Sequence, residues 1–138
     1  MAQLEVGCAC TDISPTVGCH IPGFFNDRIA KDIHDPLMAR AMVFRSADVT
    51  IAICVCDVIC LLERDTAPAK KLAAEKTGIP PENILIAATH THYGPATVEI
   101  FNTPRDEEYC NWMVPRIADA IIRAHQRLQP ALFGHNSG

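Results

Sequence analysis

Val49-Thr50-Ile51-Ala52-Ile53-Cys54-Val55-Cys56-Asp57-Val58 and, after a helical stretch, Ile84-Leu85-Ile86-Ala87-Ala88 are the segments whose reading decides the fold. Each is a short run of apolar and β-branched residues, the pattern of a buried strand. Between them, Leu61 to Thr77 places Leu62, Ala69, Leu72 and Ala73 on one side and charged residues on the other. Gly78 stands where a helix C-cap belongs, while Pro68 weakens the first half. Strand, helix, strand in this order predicts a right-handed crossover with the two strands parallel. The first strand is apolar at nearly every position and is expected to be central and covered on both faces.

Upstream, Leu37 to Phe44 pairs with the Val49 strand across Ser46-Ala47-Asp48 as an antiparallel hairpin. Leu4 to Ile13 alternates, with Leu4, Val6, Cys8 and Cys10 on one face of a half-buried strand. Thr16 to Asp35 is rich in turn residues, with Gly18, Pro22, Gly23, Phe24, Phe25 and Asn26, and reads as a long functional loop. Downstream, a loop over Thr89–Arg105 leads into a second helix from about Asp106 to Leu128. Tyr109, Met113, Ile117, Ala120, Ile121, Ala124 and Leu128 form its apolar face. Pro115 should kink or divide that helix and Pro130 should end it, with Ala131 to Gly134 starting a further strand. The fold class expected is α/β: a mixed sheet with a strand-helix-strand crossover and two main helices.

The 138 residues are 49% hydrophobic, 20% charged and 6% aromatic, which suits one folded domain, residues 1–138. A chain this long builds a core without disulfides or metal. A net charge of −4 and the lack of any basic block argue against nucleic-acid binding. The apolar runs are too short for a transmembrane segment. Met1-Ala2-Gln3-Leu4-Glu5 lacks the look of a signal peptide, so the sequence reads as cytoplasmic. The seven cysteines follow strand spacing, with no Cys-x-x-Cys, and read as small buried hydrophobes rather than a metal or redox cluster.

Chemistry concentrates in Ala88-Thr89-His90-Thr91-His92-Tyr93-Gly94-Pro95. If the backbone stays extended past the buried strand, His90 and His92 project from one face, roughly 7 Å apart at Cα. One metal, or a water bound to it, would lie within reach of both rings. The end of a parallel strand is where α/β sheets place ligands. Taken alone, the pair reads equally as two hydrogen-bonded surface histidines.

Thr89-His90-Thr91-His92-Tyr93-Gly94-Pro95 resembles the Thr-His-Thr-His-Ser-Gly-Pro signature of the neutral/alkaline ceramidase family. Val6-Gly7 with Thr11-Asp12-Ile13-Ser14-Pro15 and Val17-Gly18 resembles that family's first strand and turn. Ile33-His34-Asp35-Pro36-Leu37-Met38-Ala39-Arg40-Ala41 and Thr77-Gly78-Ile79-Pro80-Pro81-Glu82-Asn83-Ile84 are similar to two further segments. The likeness runs from about Val6 to Gln129 and covers the first part of a family member several times longer. It implies an N-terminal portion of a ceramidase-like catalytic domain, an incomplete part of a larger whole. It further implies a catalytic Zn2+ held by His90, and His92 as general base in hydrolysis of the amide bond of an N-acyl substrate, ceramide or a related lipid. In the family a further histidine, a glutamate and a tyrosine complete the zinc site from sequence beyond this match, and Tyr93 stands where serine is usual.

Other polar residues carry two readings each. Asp57 is either an outer partner that orients an imidazole or a cap or turn residue. Arg40 binds an acidic substrate group or is exposed or ion-paired, and His34-Asp35 reaches the rim of the site or forms a turn. His20 and His125 read as solvated. Phe24 and Phe25 form an apolar rim beside the metal or pack beneath their loop. The alternative to an amide hydrolase is a non-catalytic or incomplete fragment without the downstream zinc ligands. An incomplete domain predicts an uncovered sheet face or edge, hence a homo-oligomer or a missing C-terminal part as partner.

Overall fold

The computed structural model describes residues 3–137. Strands β1 (Leu4–Asp12), β2 (Met38–Ser46), β3 (Val49–Cys56), β4 (Ile84–Ala88) and β5 (Gln129–Pro130) form one mixed sheet ordered β4-β3-β2-β1-β5. The hairpins β1/β2 and β2/β3 and the short β1/β5 pairing are antiparallel, while β3 and β4 are parallel. Helices α1 (Glu63–Thr77) and α2 (Glu107–Gln126) complete the expected mixed α/β architecture.

Local chemistry explains the ends of the elements. Ala47 takes φ +50° in the two-residue turn that closes the β2/β3 hairpin between Ser46 and Val49. Helix α1 ends where Gly78, at φ +73°, donates its N–H to the Ala74 carbonyl at 2.9 Å, a left-handed cap. Asp106 caps α2 by accepting from the Tyr109 N–H at 2.9 Å. Pro115 does not divide α2, which runs unbroken for 20 residues. Its exposed position leaves the carbonyl it deprives, at Asn111, on the wet side of the helix. Pro68 is likewise carried inside a continuous α1.

Helix α2 crosses β1 and β2, and α1 packs beside it. Apart from Val43 and Ile84, the inner face of the sheet is small: Ala9, Ala39, Ala41, Ala52, Cys54 and Cys56 are all buried in one core with Met113, Ile117, Ile121 and Ala124 of the helix layer. The closest approach is at Gly7, where a Cβ would stand 2.0 Å from the Ala124 carbonyl oxygen. This corrects the expected orientation of β1, whose inner residues are Gly7 and Ala9, while Cys8 and Cys10 are exposed. Size outranks hydrophobicity here, because only residues that small let the helix backbone come so near.

Strand β3 is also covered on one face only. Ala52, Cys54 and Cys56 are buried, whereas Val49 and Ile51 are exposed and Ile53 and Val55 half-buried. Register lines these up with Met42, Phe44, Cys8 and Leu85 into an open, largely apolar outer face. The chain's accessible surface is 8293 Å², against about 7,100 Å² for a compact monomer of this mass. The last strand forms earlier than expected, at Gln129–Pro130, paired to Glu5 and Val6. Ala131 adds one bond to the Leu4 carbonyl at 2.9 Å, after which Leu132 and Phe133 leave the edge exposed.

Replacing Gly7 with alanine is therefore expected to lower unfolding stability by at least about 1–3 kcal/mol, the cost of overpacking a filled contact. Urea denaturation that gives an unchanged midpoint would contradict the close approach of α2.

Candidate functional site

Parallel pairing sets the site. Beyond the last residues of β3 and β4, the Thr89 N–H still donates to the Cys56 carbonyl at 2.9 Å and the His90 N–H to the Val58 carbonyl at 3.1 Å. The backbone then leaves the extended form, with His90 at φ +63°. The ring Nδ1 of His90 meets the Ile59 carbonyl at 2.7 Å, and that of His92 meets the Gly23 carbonyl at 3.2 Å. A carbonyl can only accept, so each Nδ1 is the donor, and in the neutral ring that tautomer leaves Nε2 with its lone pair. The two Nε2 atoms stand 3.4 Å apart, with ring planes at 79°. The rings therefore converge as expected, although through a left-handed turn rather than an extended run.

Two facing lone pairs repel unless something positive lies between them or a proton bridges them. Nitrogens bound to one tetrahedral zinc at about 2.05 Å lie roughly 3.3 Å apart. The pair thus fits two corners of one such site. Among the described residues no group of three or more His, Cys, Asp or Glu side chains is placed to hold a metal.

The loop over residues 16–35 reaches across to His92. Gly23, at φ +90°, comes so near that a Cβ there would stand 2.3 Å from His92 Nδ1. Arg28 donates from Nη2 to the His92 carbonyl at 2.9 Å. Its guanidinium lies 3.4 Å over the Phe24 ring, and Phe24 meets His92 edge-on at 6.0 Å. Such a stack contributes about 0.5–2 kcal/mol. His20 pairs with Asp27 at 2.7 Å rather than standing in water, and holds that carboxyl below the usual range. Asp27 also accepts from Thr103 at 3.3 Å, and Asn102 donates to the Phe25 carbonyl at 3.3 Å, so the two long loops support each other.

A buried ion pair anchors the histidine loop. Arg105 grips Asp65 of α1 at 2.6 and 3.1 Å with side chains only 6% and 5% exposed, and it also donates to the Thr97 carbonyl. Thr97 in turn donates to the Cys60 carbonyl at 2.6 Å. Gly23, Arg28 and Arg105 were not singled out from the sequence. Only Gly23, following Pro22, carries a local signal, that of a turn.

The remaining candidates separate. Asp57 orients no imidazole: its carboxylate accepts from the Met38 N–H at 3.0 Å and pairs with Arg40, tying the hairpin end. Arg40 is thereby ion-paired, while His34 pairs with Asp35 at 2.9 Å, both well exposed. That pair borders a cavity of about 590 Å³ whose apolar walls are Ile21, Ile29, Ile33 and Leu37 and whose far side is Thr91 and Tyr93. Phe25 rests on Phe101, ring centres 4.7 Å apart, and both are exposed beside the site. Burial holds His125 below its ordinary pKa, so it is half-buried rather than solvated. Of the thiols, Cys110 is pushed up to about 12 by burial, and Cys56 is raised by its hydrogen bond to Cys54 and by burial. Such thiols are poor nucleophiles and poor metal ligands at neutral pH.

Solved ceramidases superpose on this α/β layer, which has a ceramidase-like fold. The neutral ceramidase of Pseudomonas aeruginosa superposes with a TM-score of 0.82 at 26% identity, over 94% of this chain and 22% of that one. A second solved structure, a ceramidase complexed with C2, gives 0.79 with the same identity and coverage. The chain thus spans about a fifth of the length of the solved structures it matches. No family model and no curated protein matches it. Among the described residues, no helix is long and apolar enough to cross a membrane.

Two substitutions probe how the site is held. Asp65→Ala leaves the buried Arg105 with Glu107, 3.1 Å from its Nε, as its remaining ion-pair partner, and is expected to cost about 3 kcal/mol in denaturant unfolding; a loss under about 1 kcal/mol would mean the Asp65 pair is dispensable. In Gly23→Ala the new methyl must push His92 aside. Its ring Nδ1 proton should then exchange freely with water in NMR spectra while circular dichroism is unchanged, and a ring signal like that of the parent would contradict the contact.

Proposed function

We propose that this chain is the part of a zinc-dependent, ceramidase-like amide hydrolase that carries His90 as a metal ligand and His92 as the general base. The single observation behind this is the convergence of two Nε2 atoms, 3.4 Å apart, each ring held by a backbone carbonyl on its other nitrogen. The similarity to solved ceramidases over 94% of the chain supports the reaction class. Zinc, when bound, supplies Lewis acidity that polarises the amide carbonyl and brings the pKa of water toward neutrality.

The protein's own residues do the rest. His90, its ring fixed by Ile59, offers Nε2 to the cation. His92 Nε2 takes a proton from water as the water oxygen attacks the amide carbon, and returns it to the departing amine nitrogen. A neutral imidazole suits both tasks near pH 7. The substrate class is an N-acyl lipid. Phe24, Phe25, Phe101 and Tyr93 offer an apolar rim, and the cavity bounded by Ile21, Ile29, Ile33 and Leu37 lies against the same loop. Residues 1–138 act as one unit of that catalytic domain, and the other zinc ligands come from protein outside it.

A second arrangement, with both rings on the cation, is favoured by the tetrahedral spacing of the two nitrogens. Calorimetric zinc titration separates the two. If His90 alone ligates, His90→Ala loses more than the roughly 10–100-fold that an outer partner costs, while His92→Ala binds nearly as the parent does. Equal losses in both favour shared ligation, and undiminished binding in His90→Ala overturns the metal assignment. With a short-chain N-acyl sphingoid amide, His92→Ala should lower kcat about 10²–10⁴-fold. No turnover by folded, zinc-loaded protein that also carries the remaining zinc ligands would favour a non-catalytic role.

A further inference from the structure

The loop over residues 16–35 touches His92 at both ends of the residue, through its ring and through its backbone. Gly23 accepts from the ring Nδ1 at 3.2 Å, and Arg28, five residues on, donates to the His92 carbonyl at 2.9 Å. Between these two contacts the Phe24 ring has the Arg28 guanidinium 3.4 Å above its face and the His92 imidazole on its edge. The segment is closed on itself by the Ile21 N–H to the Arg28 carbonyl at 2.8 Å, by Ala30 to Cys19 at 2.9 Å, and by His20 to Asp27. A loop so fastened moves as a body, so whatever fixes Arg28 to His92 also fixes the distance from Gly23 to the ring.

We propose that Arg28 is a positioning residue that sets the tautomer and aim of His92. The cost of placing a guanidinium here argues for a task. Its Nε is buried without a hydrogen-bond partner, and the bond to the His92 carbonyl is the one its side chain makes among the described residues. Aromatic stacking on Phe24 holds the plane while Nη2 clips the backbone. Lysine keeps the charge and a donor but loses the planar stack, so it should replace Arg28 incompletely.

The consequence for catalysis rests on the assignment of His92 as the base, so the test has one arm that does not. In metal-free protein, nitrogen-15 spectra of the imidazoles report which ring nitrogen carries the proton. The parent should show His92 protonated on Nδ1 alone. Arg28→Ala should show exchange between both tautomers, with Arg28→Lys intermediate and circular dichroism unchanged throughout. Phe24→Leu, at an exposed position, loosens the same clip and should shift the ring signal in the same direction even if Arg28→Ala does not fold. A parent-like His92 signal in a folded Arg28→Ala, or in Phe24→Leu where Arg28→Ala does not fold, would overturn the proposal. In the activity arm, Arg28→Ala should lower kcat by about 10²-fold, the scale of a 1 Å misplacement, with KM little changed and partial recovery on adding guanidinium ion. A tautomer shift in protein that hydrolyses nothing would uphold Arg28 as the clip and count against the hydrolase reading instead.

Discussion

Two hydrogen bonds, from His90 Nδ1 to the Ile59 carbonyl and from His92 Nδ1 to the Gly23 carbonyl, are the constraint on which the site depends. Each removes a ring rotation and assigns a tautomer, and together they leave two basic nitrogens facing each other at 3.4 Å. Neither bond is local in sequence. The first exists because β3 and β4 run parallel, which brings the chain after β3 beside the chain after β4. The second exists because a loop from before β2 folds over the same end of the sheet. Topology thus supplies the acceptors and the histidine motif supplies the rings.

The same dependence explains the buried Arg105–Asp65 pair. The segment between β4 and α2 has little regular structure, and an unanchored loop of that length would spread the rings over many positions. A bidentate ion pair to α1, with Thr97 bonded to the Cys60 carbonyl, converts it into a fixed bridge. An ion pair that far from water adds little net stability for its desolvation cost, but it fits in one geometry only. Its value here is in registration.

Most of the fold was legible because periodicity and turn chemistry agree. The strand-helix-strand unit, the β2/β3 hairpin and the apolar stripe of α2 all carry patterns that admit one reading. The orientation of β1 and the covering of β3 were misread for a shared reason. Apolar residues occur on both faces of those strands, so in β1 the bulkier set reads as the inner one and in β3 both sets read as covered. The inner face is the small one, because α2 lies within van der Waals reach of Gly7. Of the site, the two histidines were legible from spacing, whereas Arg28, Gly23 and Arg105 were not. Their roles come from contacts across 64, 69 and 40 residues, which no local pattern encodes.

The open outer face and the paired imidazoles belong to the same sheet. Met42, Phe44, Ile51, Ile53, Val55 and Leu85 form one apolar row on the outer side of the sheet, and apolar rows in water favour association over isolation. A tetrahedral cation likewise needs more than the two nitrogens these residues converge. The inner face, by contrast, is finished: α2 fits it so tightly that a single methyl at Gly7 has no room. One face is filled to its last ångström and the other stands open, and the difference follows from which side of the sheet α2 covers.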